Sequence, residues 1–387
     1  MTEPLKILMF NNEFPPLGGG TGTVNRELFL QFKNNPEIKI DLITSSDGKV
    51  KKINNFSRNI TIYKIPVGRK NIHHASNSEL IKYAFKALFT GIKLHKKEKY
   101  DFVFVWATVP AGFPAVILKL FKKLPFIIRI SGPDIPGYEK RYNTIYKIIS
   151  PFIKFAWKKA EIIISKCKTE KEMVLKINPK LKIKTVYNGI DTKIFFPTEN
   201  KIQDKNLKLI CAARLIKHKG QYTLIKAVSN LKKQGIIMNV NLVGEGDEKN
   251  AYVKYAKAQD VAEQIIFSGY VPREKMAEQY QNADIFVLPS HSECMSNAML
   301  EAMACGLPVI VTDVGGTEEL IDKTDGFIFK PGDEITLTHI LKDIDLNKDK
   351  IQILGKKSRK KAEQLKWKNI AEEYFELFKT IKPLIHE

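Results

Sequence analysis

Cysteine is scarce in this sequence, and what there is forms no pattern. Cys167, Cys211, Cys294 and Cys305 lie far apart, make no C-x-x-C pair and stand beside no histidine-rich run. That excludes a spaced zinc site and a disulfide framework, and it suits a reducing compartment. Long apolar runs are missing too. The nearest approach to a membrane span, Phe102 to Leu118, carries no charge but is interrupted by Pro110, Gly112 and Pro114. It reads as a strand, a turn and a helix start, where a span needs about 20 unbroken apolar residues. The opening Leu5–Phe10 is too short for the core of a secretory signal and reads as a first buried strand. No repeat of fixed period and no low-complexity tract is present. The sequence also lacks a helix-turn-helix, a zinc finger and an RNP-like aromatic motif, which removes the usual ways of reading nucleic acid.

Negative charge is scarce in one half only. Residues 1–190 hold 34 Lys and Arg against 14 Asp and Glu, a net of +20; residues 191–387 hold 29 against 28, a net of +1. Nearly the whole formal charge of +21 therefore sits in the first half. A one-sided field of that kind fits an anionic partner: membrane headgroups, a phosphate-bearing acceptor or nucleic acid. A solubilising lysine coat is the alternative. Three segments mix cations with aromatics: Leu80–Lys99, Val116–Lys123 and Arg141–Lys159. Their apolar stripes either lie on anionic lipid or pack on the protein's own sheet.

What is present is a globular composition, 44% hydrophobic and 27% charged, in 387 residues, enough for two domains of roughly 150–200 residues each. Short apolar runs alternate with amphipathic ones. Ile7–Phe10, Ile40–Thr44, Ile60–Ile65, Phe102–Trp106, Phe126–Ile130, Ile162–Ser165 and Thr185–Tyr187 read as strands with helices between them. After a polar, hinge-like stretch from Asn188 to Asn206 the alternation restarts, with strands at Leu209–Ala212, Asn239–Val243, Ile265–Ser268, Ile285–Leu288 and Val309–Thr312. The expectation is an α/β protein of two Rossmann-like doubly wound domains facing each other across a cleft. Residues 1–190 form the first domain and 191–366 the second, followed by a helix over 367–387 that packs back on the first.

The richest segment runs from Asp284 to Gly316. A strand ends at Pro289-Ser290, Glu293 follows on a loop, and Ser296 or Asn297 caps a helix that carries Glu301 one turn in. A helix start with unpaired N–H groups at Ser296, Asn297 and Ala298 suits a diphosphate, and flanking carboxylates suit a sugar and a ribose. Upstream, Arg214 and Lys219 lie five apart on a turn after a strand, so both cations can converge on one phosphate pair. Leu242-Val243-Gly244-Glu245-Gly246 is a strand ending in a glycine turn, which permits close backbone approach. Taken singly, each of these is also an ordinary surface feature.

Together they resemble a known family. ARLIKHKGQYTLIKA, LVGEGDE, FSGYVPREKMAEQYQNADIFVLPS and SECMSNAMLEAMACGLPVIVTDVGG stand in the order found in the donor domain of retaining GT-B glycosyltransferases, family 4 (glycosyl transferases group 1). The E-x7-E pair is that family's hallmark. The resemblance implies Arg214 and Lys219 on the donor diphosphate, Glu293 facing the donor sugar, Glu301 on the ribose, and Gly244, Tyr270 and Val271 beside the nucleobase. Cys294-Met295 replace the family's usual Phe-Gly, which leaves the sugar open. Phe14–Gly20 resembles the family's glycine loop, putting Gly19 and Gly20 by the diphosphate. Arg129–Asp134 resembles its His-Gly-x-Asp stretch, with Ser131 where histidine is common and Asp134 left to bind or deprotonate the acceptor. Asp343 and Asp345, the one D-x-D pair, lie far from these motifs, so the cations are expected to serve without a metal.

The implied activity is transfer of a hexose from a nucleotide diphosphate (UDP first, GDP or ADP as alternatives) to a glycan or lipid-linked acceptor, with retention. No other cofactor and no nucleic acid is expected. The implied place is the cytoplasm, peripheral at the inner face of the plasma membrane. A nucleotide-sugar epimerase or another enzyme of this fold is the rival reading, with a nucleic-acid-binding protein ranked behind it.

Overall fold

The computed structural model describes residues 3–72, 75–138, 143–198, 205–321 and 324–381. Arg141 and Tyr142 of the third basic segment, and residues 199–204 of the polar stretch, lie outside them. The chain divides into two units, one of Met1–Asn188 with Trp367–Glu387 and one of Gly189–Lys366.

The first unit begins β1 (Leu5–Phe10), α1 (Gly20–Phe32), β2 (Ile38–Ser46), β3 (Lys52–Ser57), β4 (Ile60–Pro66) and α2 (Asn77–Glu98). It continues β5 (Phe102–Trp106), α3 (Gly112–Lys122), β6 (Phe126–Arg129), α4 (Asn143–Lys159), β7 (Ile162–Ser165), α5 (Lys168–Ile177) and β8 (Ile183–Thr185). Its eight strands lie in the order β3-β4-β2-β1-β5-β6-β7-β8. Every pairing is parallel except β3 with β4. The central strands are mostly buried and rich in apolar residues, β5 being apolar throughout, because helices cover both faces. β3 has no counterpart among the strands expected from sequence. Its residues KINNFS are mostly exposed and polar, so no alternation marks them; the strand exists through its antiparallel register with β4. The uncharged stretch 102–118 is divided between β5 and α3, and among the described residues no helix is long and apolar enough to cross a membrane.

In the second unit come β9 (Lys208–Ala212), α6 (Gln221–Lys232), β10 (Asn239–Val243), α7 (Lys249–Ala258), β11 (Ile265–Gly269), α8 (Arg273–Gln281) and β12 (Ile285–Leu288). They are followed by α9 (Asn297–Ala304), β13 (Val309–Thr312), α10 (Thr317–Leu320), β14 (Phe327–Phe329), α11 (Glu334–Leu346) and α12 (Asp349–Gln364). All six strands are parallel, in the order β11-β10-β9-β12-β13-β14. β9 sends its connection one way to β10, while β12 lies on its other side. That makes the carboxyl ends of β9 and β12 the topological switch point, where such sheets leave a crevice.

The last helix, α13 (Trp367–Ile381), belongs to the first unit. Phe378 packs on Phe32 of α1 and on Phe102 and Phe104 of β5, at centroid distances of 6.1, 5.4 and 5.2 Å. Tyr374 accepts a hydrogen bond from Arg129 Nε at 2.6 Å. The buried Arg129 guanidinium also stacks on Trp106 and donates to Asn188. All four cysteines are buried free thiols, and burial pushes Cys211 up to about 12.

Candidate active site

Four loops leave the carboxyl edge of the second sheet, and glycines set how closely they approach. After β9 the chain turns through Arg214 and a single 3-10 turn, Lys217–Lys219, into Gly220. Gly220 has φ +71°, and a Cβ there would lie 1.9 Å from the Pro289 carbonyl oxygen in the loop after β12. His291 N–H donates to the His218 carbonyl at 2.8 Å, tying the same two loops a second time. After β10, Gly244 has φ +136°, and a Cβ would meet the Ala213 oxygen at 2.1 Å. After β13, Gly315 has φ +58°, a Cβ there would lie 1.8 Å from the Glu293 carbonyl oxygen, and Gly316 N–H donates to the Cys294 carbonyl at 2.7 Å. Only glycine fits these positions, because a left-handed backbone and direct backbone contact coincide.

That packing brings Lys219 and Glu293, 74 residues apart in sequence, into an ion pair in which each side chain is about 15% exposed. Ser290 Oγ donates to the same carboxylate oxygen of Glu293 at 3.0 Å. Behind it, Thr312 Oγ1 donates to the Ser290 carbonyl at 2.6 Å and fixes the loop on β13. Two residues on from Cys294, Ser296 caps α9 by accepting the Met299 N–H at 3.3 Å, so Ser296, Asn297 and Ala298 form the helix start next to this cluster in sequence. Of the two expected caps it is Ser296 that serves. Cys294 and Met295 are buried under the loop.

The other expected residues fall as follows. Arg214 is exposed, and among the described residues its guanidinium has no ion-pair partner; its carbonyl accepts from Gln221 Nε2 at 3.0 Å. The cations thus differ, Lys219 resting on Glu293 and Arg214 open. Glu301 is nearly buried on α9, taking a hydrogen bond from Tyr280 OH at 2.9 Å and an ion pair from Arg273 at 3.2 Å. Arg273 in turn lies over the Phe195 ring, 5.4 Å from its centroid. Tyr270 is 65% exposed after β11, with Val271 half-buried beside it, and Gly244 N–H is bonded to the Gly269 carbonyl at 2.8 Å. Asp343 pairs with Lys350 at 2.6 Å on the helical side of the unit. Ser290, Tyr280 and Arg273 were not singled out from sequence as part of this site. Tyr280 and Arg273 meet Glu301 across 21 and 28 residues, so no local spacing marks them, whereas Ser290 stands only three residues before Glu293 and is the one a local reading could have found.

In the first unit, Gly19 caps α1 and Gly20 begins it; both are exposed, and a Cβ on Gly19 would meet nothing within 4 Å. Gly18 has φ +94°, and a Cβ there would lie 2.5 Å from Glu13 Cβ, so this is the glycine the turn itself requires. Asp134, expected to face an acceptor, is buried instead. Its carboxylate takes the Ser131 N–H at 2.9 Å, the Ser131 hydroxyl at 3.2 Å and the Val109 N–H at 3.5 Å, joining the loops after β5 and β6.

Burial raises the Asp134 carboxyl from an ordinary 3.8 to about 6, against the pull of those hydrogen bonds. A raised carboxyl pKa means that the folded chain binds the proton more tightly than the unfolded chain. Its contribution to stability is full below about pH 4 and is lost as pH rises through about 6. Replacing Asp134 with Asn should remove that loss. The stability of the variant relative to the wild type, measured by urea denaturation, should climb by about 2–3 kcal/mol from pH 4 to pH 6.5. A constant difference across that range would show that Asp134 does not titrate there.

Two doubly wound sheets, parallel but for the β3 edge, with charged loops gathered at the switch point of the second, are the architecture of the GT-B class of nucleotide-dependent transferases. The solved structures agree on the fold. Sucrose-phosphate synthase of Thermosynechococcus elongatus superimposes with a TM-score of 0.84 over 97% of this chain and 99% of its own, at 19% identity. The sequence families divide the chain between them. The description "Glycosyltransferase Family 4" matches residues 18–194, and "Glycosyl transferases group 1" matches residues 192–361. The chain belongs to the GT-B glycosyltransferases of family 4. Among curated relatives it is 24% identical over 377 residues to the N-acetyl-alpha-D-glucosaminyl L-malate synthase of Bacillus anthracis, covering 93% of each chain. It is 26% identical over 381 residues to the UDP-Gal:alpha-D-GlcNAc-diphosphoundecaprenol alpha-1,3-galactosyltransferase of Escherichia coli, covering 92% of each.

Proposed function

We propose that the second unit holds a nucleotide-sugar donor at the β9/β12 switch point and that the enzyme transfers its hexose with retention to a glycan or lipid-linked acceptor. The observation that carries this reading is the Lys219–Glu293–Ser290 cluster beside the capped start of α9. A diphosphate there meets Arg214, Lys219 and the first N–H groups of α9, which stabilise the charge that grows on the leaving phosphate as its bond to the sugar breaks. Lys219 exchanges the Glu293 carboxylate for phosphate, leaving Glu293 free to stabilise positive charge on the sugar ring.

Glu301, oriented by Tyr280 and Arg273, accepts from the ribose hydroxyls; Gly244, Tyr270 and Val271 border the base. UDP is the nucleotide assigned first, supported by the UDP-sugar named for the Escherichia coli relative, with GDP and ADP as alternatives. That relative's lipid diphosphate acceptor also supports a role in cell-surface polysaccharide or glycolipid synthesis, with the first unit serving the acceptor. Asp134 acts there by holding two loops in place.

The test is a panel of nucleotide sugars incubated with lipid-linked and free glycan acceptors, following nucleoside diphosphate release. Release that depends on acceptor, with the product anomer unchanged from the donor, supports the reading. Interconversion of donor sugars without any acceptor would replace it with an epimerase.

A further inference from the structure

Three neighbouring helices of the first unit carry an apolar face that stands exposed among the described residues. On α2, Ile81, Phe85 and Phe89 recur every four residues and are 58%, 51% and 68% exposed. At the end of α3, Phe121 is 75% exposed, and on α4, Ile148 is 77% exposed. These are one surface: Phe113 of α3 touches Phe85 at a centroid distance of 5.3 Å on one side and Phe152 of α4 at 6.4 Å on the other. Of the five phenylalanines among the exposed large hydrophobics of the described residues, four (Phe85, Phe89, Phe121 and Phe155) lie here. Scattered exposed apolar side chains need no explanation, but a contiguous patch does.

Charge tells what fits it. Lys82, Lys86 and Lys93 stand beside the α2 stripe, Lys122 and Lys123 beside Phe121, and Lys158 and Lys159 beside Phe155. α3 and α4 contain no acidic residue. The two acids of α2 are spoken for, Glu79 buried as a helix cap and Glu98 bound to Lys39 at 2.6 Å. On the far flank of α4, Lys154 and Lys158 line a hollow of about 260 Å³ with Trp157 and Asn178, roomy enough for a phosphate headgroup. Aromatic and aliphatic tips ringed by lysines, with no exposed carboxylate on these three helices, match the acyl boundary and phosphate layer of an anionic bilayer. A soluble protein partner would need acidic groups set around apolar ones in one fixed shape; a bilayer asks only for this order of layers.

We propose that the α2–α3–α4 face docks on an anionic lipid surface, with Phe89, Phe121 and Ile148 entering the acyl boundary and the flanking lysines binding lipid phosphate. The inference deepens the acceptor half of the proposed function, and it rests on that reading only for the identity of the acceptor. The full chain is centrifuged with vesicles of phosphatidylcholine alone or mixed with phosphatidylglycerol. Binding is expected to the mixed vesicles, to fall about tenfold between about 0.1 and 0.5 M salt, and to fall at least about tenfold in the Phe89→Ser/Phe121→Ser double variant. Both side chains are exposed, so the thermal midpoint of that variant should match the wild type. UDP binding, measured on the same samples, keeps the two proposals apart: vesicle binding without nucleotide binding would sink the donor site and leave this surface standing. Absence of binding to mixed vesicles overturns the docking face. So does binding that the double variant retains. A concentration-dependent dimer that the double variant abolishes, without vesicle binding, would assign the face to a second copy of the chain.

Discussion

Replacing Glu293 with Ala should reduce turnover by about 10²–10⁴-fold while nucleoside diphosphate affinity stays the same or tightens. The geometry gives the asymmetry. Glu293 is held from two sides, by Lys219 and by Ser290 Oγ at 3.0 Å, in a loop whose backbone is pinned by Gly315 and Gly316. A carboxylate so constrained makes its strongest contribution to charge that exists only while the sugar is being transferred. Its removal also frees the Lys219 ammonium, which then faces phosphate with no competing carboxylate. Glu293→Gln provides the control. It keeps an acceptor for Ser290 but loses the charge, and should lose as much turnover as the alanine variant. Steady-state kinetics and calorimetric titration on the three proteins decide the matter. Full turnover in the glutamine variant would remove the charge of Glu293 from the mechanism.

Gly220→Ala should cost about 2–4 kcal/mol of stability and at least about 10²-fold in turnover. A Cβ at this position meets the Pro289 oxygen at 1.9 Å, so the turn bearing Lys219 and the loop bearing Glu293 cannot keep their distance. Strain at φ +71° adds to the clash, and the two effects can be separated. Gly235, at the end of α6, has φ +79° with nothing within 4 Å of its Cβ, so Gly235→Ala carries the strain alone. It should lose about 1–2 kcal/mol and keep full activity. Equal activity losses in both variants would mean that loop contact at Gly220 is irrelevant to the site.

Much of this architecture is legible before folding. The runs at Ile285–Leu288 and Val309–Thr312 coincide with β12 and β13, buried strands that read as apolar runs, and Asn239–Val243 coincides with β10, where buried Val240 and Leu242 alternate with half-buried asparagines. The cap at Ser296 and the two glutamates follow from residue type and spacing. β3 and β14 escape notice for opposite reasons. One is polar and exists by edge pairing; the other, Phe327–Phe329, is three residues long and defined by its parallel partner β13.

The site is legible in part only. Sequence lets Arg214 and Lys219 converge on one phosphate pair, but does not tell that the fold sets Lys219 against Glu293 and leaves Arg214 exposed. It suggests an accessible Asp134, which the fold buries under loops after two different strands. The support of Glu301 by Tyr280 and Arg273 spans 21 and 28 residues, and no local pattern encodes contacts of that range.

The central claim is that Arg214, Lys219 and the start of α9 grip two linked phosphates. Calorimetric titration of UDP and UMP into the wild type and the Arg214→Ala/Lys219→Ala double variant tests it most directly. The account predicts that the wild type binds UDP at least about tenfold more tightly than UMP, and that the variant binds both weakly and equally. A double variant that retains the preference for the diphosphate would contradict it.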